Sequence, residues 1–321
     1  MCEKMLKYVL KRLGLMVFTF LIIVTICFFL VKLLPNPLPN PIGKDIQIII
    51  NRREALGYNK PLIEQYFIFV KDTLFGGDWG ISEHKYYPRE VWDVFVEKLP
   101  PTMYVNVFAM LVSVPLGLGL GIFSALKKNK WQDHVISIVV MLFISVPSYV
   151  TGFLVQYLFC YKWQIFPAQM AASDVGYFSW TMVKSVIPAI MMLSFGTIAG
   201  LTRFTRAELT EVLTSEFMLL ARTKGLTKAQ ATTRHALKNA MVPIFPSILG
   251  QFIGIIGGSL ITEQIFGVPG VGGLYIYSIT ALDYNVFLLD TCFYLAIGLL
   301  SGIVIDLSYG FIDPRIRMGE R

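Results

Sequence analysis

Six stretches of the chain are almost free of charge and long enough to cross a bilayer as helices: residues 13–31, 103–126, 135–159, 185–201, 241–262 and 284–305. A hydrocarbon core about 30 Å thick takes about 20 apolar residues of helix. The sixth stretch is interrupted only near its start, by Asp290, and the pattern predicts six transmembrane helices in an all-α membrane protein. The first stretch follows Lys4, Lys7, Lys11 and Arg12, as a secretory signal would. It is longer than a typical signal core, however, and runs through Phe28-Phe29-Leu30-Val31-Lys32 with no small-residue cleavage site, so it reads as a retained span.

Two segments between the runs carry patterns of their own. Residues 32–101 open with Pro35-Asn36-Pro37-Leu38-Pro39-Asn40-Pro41, which predicts extended backbone. Helical spacing follows at 45–56 and 61–74, then the turn-like Phe75-Gly76-Gly77-Asp78-Trp79-Gly80. Tyr66, Phe67, Phe69, Trp79, Tyr86, Tyr87, Trp92 and Phe95 would give this segment a core, and a small packed cap is expected over a tethered loop. Residues 202–240 predict a helix over 208–224, with Leu209, Val212, Leu213, Phe217, Leu220 and Ala221 on one face. Gly225 stops it. Thr227 answered by Gln230 has the capping-box form and starts another helix running toward Asn239, with Pro243 at the beginning of the next span.

Composition agrees with the pattern. The chain is 55% hydrophobic and only 15% charged, which excludes an ordinary soluble enzyme, and its net charge of +7 reflects basic residues flanking spans rather than a nucleic-acid surface. With the N-terminus inside, the inner segments (1–12, 127–134, 202–240 and 306–321) hold 17 Lys and Arg against 11 in the outer ones. Nine of those 11 sit in the long segment 32–102, where nine acids balance them, so both termini are expected in the cytoplasm.

Candidate chemistry is sparse. Cys2, Cys27, Cys160 and Cys292 have no metal or framework spacing; a Cys160–Cys292 bridge near the outer span ends is the alternative to small buried hydrophobes. His84, His134 and His235 are far apart and predict no metal site. No phosphate loop, zinc-protease pattern or nucleophile elbow occurs, so neither an ATPase nor an intramembrane hydrolase is encoded. Gly117 with Gly121, and Gly250 with Gly254, read as small packing faces. Asp290, Asp306 and Lys184 lie toward span ends, where snorkelling accounts for them, which weakens an ion-coupled carrier.

The inner segment carries a specific resemblance. Glu216-Phe217-Met218-Leu219-Leu220-Ala221-Arg222-Thr223-Lys224-Gly225-Leu226-Thr227, followed by Arg234-His235-Ala236-Leu237-Lys238-Asn239-Ala240-Met241-Val242-Pro243, resembles the "EAA" loop of ABC-transporter permeases. It is most similar to the binding-protein-dependent dipeptide/oligopeptide/nickel family. Thr262-Glu263-Gln264-Ile265-Phe266-Gly267-Val268-Pro269-Gly270-Val271-Gly272-Gly273-Leu274 resembles that family's outer-loop signature, and Ile305-Asp306-Leu307-Ser308-Tyr309-Gly310-Phe311-Ile312-Asp313-Pro314-Arg315-Ile316-Arg317 its C-terminus. Leu56-Gly57-Tyr58-Asn59-Lys60-Pro61-Leu62 and Gly77-Asp78-Trp79-Gly80-Ile81-Ser82 are similar to the B-type subunit, which has a long first outer loop. Thr223, where the family more often has alanine, and the proline-rich 35–41, where a Pro-Gly-Asp-Pro-like sequence is usual, depart from the pattern.

The resemblance implies the type I ABC importer permease fold: a tail and helix 1 (1–31), an extracytoplasmic loop or cap (32–101), and a permease core (102–321) whose coupling loop is 202–240. It implies a prokaryotic plasma-membrane protein paired with a homologous second permease, two cytoplasmic ATP-binding subunits and an external substrate-binding protein. The chain itself would hold no cofactor or metal and no catalytic residue, with ATP and Mg bound by the partners. Glu216, Ala221, Arg222, Lys224, Gly225 and Leu226 would couple to the ATPase, with Arg222 and Lys224 meeting acidic residues, Ala221 leaving room for contact and Gly225 giving the sharp turn. Glu263, Pro269, Gly270 and Gly272 would form the outer-loop signature. Oligopeptides or dipeptides are the implied substrate; nickel, metal chelates or glutathione are the alternatives within the family, and an ion-coupled secondary carrier the alternative outside it.

Overall fold

The computed structural model describes residues 2–35, 45–55, 57–255 and 259–312. The sequence expectations for most of the proline-rich 35–41, for the middle of 241–262 and for the last nine residues lie outside them. The elements are α1 (Cys2–Leu33), α2 (Asp45–Ala55), α3 (Leu62–Phe69, continued by a π-helical turn Val70–Phe75), α4 (Val91–Leu126), α5 (Trp131–Ser145), α6 (Ser148–Val155, with a π-helical end Gln156–Lys162), α7 (Trp180–Leu213), α8 (Glu216–Thr223), α9 (Lys228–Ala231, then a π-helical turn Thr232–Ala236), α10 (Leu237–Gly254), α11 (Leu260–Phe266), α12 (Val271–Thr280) and α13 (Tyr284–Ile312). Among the described residues extended pairing is confined to one antiparallel bridge, Ile81 with Glu90.

Among the described residues, four helices are long and apolar enough to span a bilayer: Val9–Leu33, Val91–Leu126, Trp180–Leu213 and Tyr284–Ser308. The run 135–159, expected as one straight helix, is instead two arms, α5 and α6, bent by 102°. The cause is local. Val146, preceding Pro147, is pushed into extended backbone (φ −81°, ψ 125°), and Pro147 opens α6 at ψ 138°. The run 241–262 falls on α10 and α11, and α10 alone does not qualify as a span, because Lys238, Asn239, Pro243, Pro246 and Gln251 interrupt its apolar character. Pro243 is inside α10 rather than at its first turn.

The chain divides into two compact units. The first comprises 1–101 and 269–300: α1 to α3, the beginning of α4, α12 and most of α13. The two helices expected between residues 45 and 74 are α2 and α3. One of its cores packs Val91, Val94 and Phe95 of α4 against Val271 and Leu274 of α12 and Val286 and Leu289 of α13. A second gathers Phe28, Val31, Tyr284 and Leu288, with Tyr66 and Phe69 of α3 against it; the Phe28 and Phe69 rings stack at 5.0 Å. Arg53 and Glu83 form a half-buried ion pair, and the Ser82 hydroxyl donates to Asp283 Oδ2 at 2.5 Å. Phe67 and Trp92, counted as core candidates, are exposed. Asp290, expected at an interface, is fully buried and has partners.

The second unit holds residues 102–268 and 301–321. Here α7 is the central element. Ser179 caps its start, its hydroxyl accepting from the Met182 amide at 3.2 Å, and α4, α5, α6, α10 and α11 pack on it. Gly117 and Gly121 bring α4 against α7: a Cβ on Gly121 would lie 2.6 Å from Thr205 Cβ and 2.9 Å from the Thr202 carbonyl oxygen. Gly250 packs on Ile305, whereas Gly254 has open space. Asp133, fully buried at the start of α5, accepts Ser124 Oγ and the Asn129 amide and pairs with Arg206 of α7 through Nε at 2.6 Å and Nη2 at 2.8 Å. Cys27, Cys160 and Cys292 are free thiols, Cys160 and Cys292 both buried.

Two predictions follow from this packing. Gly121→Leu wedges α4 off α7 and is expected to cost about 1–3 kcal/mol by overpacking. Gly119→Leu, where a Cβ meets nothing within 4 Å, serves as the control. Thermal unfolding of the detergent-solubilised chain should show a lower midpoint for Gly121→Leu alone. In the first unit, burial outweighs the Ser82 hydrogen bond and holds the Asp283 carboxyl above the usual carboxylate range. A raised folded value means its stabilising contribution is complete below about pH 4, the unfolded value, and is lost as pH rises through the folded value. The midpoint of Asp283→Asn should therefore gain on the native chain as pH rises from acid toward neutrality; an unchanged difference would contradict the assignment.

Candidate functional site

The segment between α7 and α10 is a built turn. The helix predicted over 208–224 is broken at Thr214 and Ser215, because their hydroxyls bond back to carbonyls of the preceding turn: Thr214 Oγ1 to Thr210 and Glu211 (3.2 and 3.0 Å), Ser215 Oγ to Val212 (2.6 Å). The chain re-enters helix as α8. Its end is a Schellman motif: the Leu226 amide donates to the Ala221 carbonyl (3.4 Å), the Gly225 amide to that of Arg222 (3.0 Å), and Gly225 takes φ +86°. Thr227 and Gln230 then form the expected reciprocal capping box. The helix continues through the π-helical turn into α10.

This turn is held from beneath. Met218 and Ala221 of α8 enter one buried cluster with Ala125 of α4, Leu209 of α7, Ala231 and Ala236, and Ala240 and Ile244 of α10; Leu226 packs at its edge. Ala221 therefore faces the chain's own core, and its small side chain lets α8 sit close to the cluster. The opposite face carries Phe217, Leu219 and Leu220 at 41%, 64% and 56% exposure, with Glu216, Arg222 and Lys224 around them in solvent. Three exposed apolar side chains on one short helix, flanked by cations, form a surface suited to a protein partner.

The outer-loop signature is divided between the two units. In the second, Glu263 is buried on α11 and accepts the Thr102 hydroxyl at 2.8 Å, and the Val268 amide donates to the Glu263 carbonyl at 3.0 Å. Gly267, at φ +60°, ends α11, and both the loop before α7 and the end of α6 are fastened to α11: the Met170 amide donates to Phe266 O at 2.9 Å, and Gln156 Nε2 to Ile265 O at 2.7 Å. In the first unit, Pro269 precedes Gly270, which stands at the N-terminus of α12, and Gly272 is buried in that helix. These residues shape backbone; among the described residues no cluster of His, Cys, Asp or Glu could hold a metal.

The second unit also contains a cavity of about 790 Å³, which the sequence did not reveal. The α5–α6 bend supplies Phe143, Pro147 and Thr151; α7 supplies Met192, Gly196, Gly200 and Arg203 among others; Ser259 and Thr262 close one side. Phe143 and Phe195 stack at 4.7 Å on its wall. Among the described residues, Arg203 is its one charged lining residue. The hydropathy pattern placed Arg203 in a loop, whereas α7 continues through it to Leu213.

Comparison with known proteins adds the family. The model described as "Binding-protein-dependent transport system inner membrane component" matches residues 117–318, and its N-terminal companion matches residues 5–106. The chain is 36% identical to the dipeptide transport system permease protein of Lactococcus lactis subsp. cremoris, over 98% of this chain and all of that one. It is 31% identical to the protein of the same name from Bacillus subtilis, over 99% of this chain, and 32% identical to the oligopeptide transport system permease protein of Salmonella typhimurium, over 98%; both relatives are covered end to end. A crystal structure of an amino acid ABC transporter with histidines covers 67% of this chain and 92% of its own at 19% identity and a TM-score of 0.49, too distant to add to the family match. With both family models matching in order and full-length relatives above 30% identity, the chain belongs to the inner-membrane components of binding-protein-dependent transport systems, the permeases of ABC transporters.

Proposed function

We propose that this chain is one of two membrane-spanning subunits of an ATP-driven importer that takes up dipeptides or oligopeptides from an external binding protein. It works with a homologous second permease and two cytoplasmic ATP-binding subunits. ATP and Mg belong to those subunits, and this chain binds neither. The plasma membrane is its site, with both termini and the α8–α9 turn in the cytoplasm, as the excess of Lys and Arg in the inner segments supports. The names of the full-length relatives support peptides as the cargo.

The observation that carries the reading is the α8–Gly225–α9 turn, apolar and basic outside and anchored inside. A partner that grips Phe217, Leu219 and Leu220 moves α8 as a body. Through Met218 and Ala221 that motion reaches α4, α7 and α10 together, since a close-packed cluster transmits displacement rather than absorbing it. Phe204 packs against this cluster and lines the cavity, so the same motion reaches the cargo path. Glu216, Arg222 and Lys224 steer the partner by charge, and Gly225 fixes the angle between α8 and α9.

The test is made on the complete transporter reconstituted with its binding protein. Leu219→Asp leaves the chain's own packing intact, because Leu219 is exposed. It is expected to weaken recovery of the ATP-binding subunits about tenfold or more, as loss of an apolar interface anchor does. Gly225→Val strains a position at φ +86° by about 1–3 kcal/mol and should abolish ATP-driven peptide uptake with the chain still inserted. Uptake at the native rate in both variants would remove the turn from the coupling path.

A further inference from the structure

We propose that Arg203 is the counter-charge for the carboxylate of the cargo, so that the permease reads the free C-terminus common to peptides rather than their side chains. The proposal rests on the peptide-importer reading above and deepens it.

Four features of the cavity converge on this residue. Met192, Gly196, Gly200, Arg203 and Ala207 recur on one face of α7 at helical spacing and all line the cavity. The rest of the described lining is apolar or hydroxyl-bearing, with Ser148, Thr151 and Thr197 offering neutral hydrogen bonds, so among the described residues Arg203 stands in a wall that holds no acid. Arg206, one turn further on, is fully engaged by Asp133, whereas Arg203 has no hydrogen-bond or ion-pair partner among the described residues. Gly196 and Gly200 leave open space beside it, since a Cβ on either would meet nothing within 4 Å.

The chemistry follows from these facts. A guanidinium presents a planar fork of donors that matches a carboxylate in two parallel hydrogen bonds. Arg203 is exposed at the cavity wall, so its guanidinium meets solvent that an anionic cargo group can replace, and in membrane proteins ionisable groups facing a water-filled cavity mark the path of charged cargo. The cavity volume falls within the range of small-ligand sites, large enough for a short peptide. A peptide of any sequence has one terminal carboxylate, and the neutral hydroxyls can meet its backbone amides. One charged anchor and a neutral groove thus give affinity for the class with tolerance of sequence.

The experiment compares a tripeptide with the same tripeptide amidated at its C-terminus, both chosen by titration to be held by the binding protein. Uptake is measured in proteoliposomes containing the complete transporter. Arg203→Gln should reduce uptake of the free acid by about 10-fold or more, the worth of a charge-assisted hydrogen bond, and leave the amide within about twofold of the native rate. Arg203→Lys should restore part of the difference, keeping the charge without the fork. An equal loss for both peptides, or no loss for either, overturns the proposal. The same holds if the Arg203→Gln defect appears only in vesicles containing anionic lipid, which would assign the guanidinium to a lipid phosphate. Absence of ATP-driven uptake of any peptide by the native transporter would instead refute the peptide reading itself.

Discussion

Inside hydrocarbon no water is available to a backbone N–H or C=O, and this chain answers that constraint with helices over most of the described part of its apolar runs. The informative places are therefore those where helix gives way. Val146 and Pro147 bend the α5–α6 pair, Thr214 and Ser215 separate α7 from α8, Gly225 turns α8 into α9, and Gly267 closes α11. The last three breaks satisfy freed backbone groups by local devices: hydroxyls bonding back to carbonyls, a Schellman motif with a capping box, and a left-handed glycine. Two of these breaks shape the features on which the proposed function rests, the cavity at the bend and the exposed apolar surface at the turn.

Three buried acids in the described core obey the same economy. Asp133 is enclosed by Arg206, Ser124 and a backbone amide, Glu263 accepts from Thr102, and Asp283 accepts from Ser82. Such pairs do little for net stability compared with apolar packing, but they fix which helix faces which. Arg203 lies outside that core, exposed on the cavity wall. The alanines at 221, 231, 236 and 240 bring helices close together beneath the α8 surface.

Much of this architecture was legible in local pattern. The capping box at Thr227 and Gln230, the stop at Gly225, the helices of the first large segment and the Gly117 and Gly121 face all depend on residues within a few positions of one another, and the structure has them. The errors share one origin. A uniformly apolar run hid the bend at Pro147, although the proline itself was the available signal. Counting a span as ended by its first cation assigned Arg203 to a loop, while α7 runs ten residues beyond it. Helical periodicity through 208–224 concealed the break at Thr214 and Ser215, where two adjacent hydroxyls were the clue.

By itself, then, the sequence determined the membrane class, the helical content, the family and the order of the turns, because hydropathy, capping and glycine stereochemistry act over one or two turns of chain. Only the tertiary structure decided that Ala221 faces inward while Leu219 and Leu220 face out, that Arg206 is consumed by Asp133 while Arg203 is not, and that a cavity opens beside α7. Those outcomes depend on which partners, tens of residues away, fill each side of a helix. Neither local propensity nor spacing along the chain contains that information.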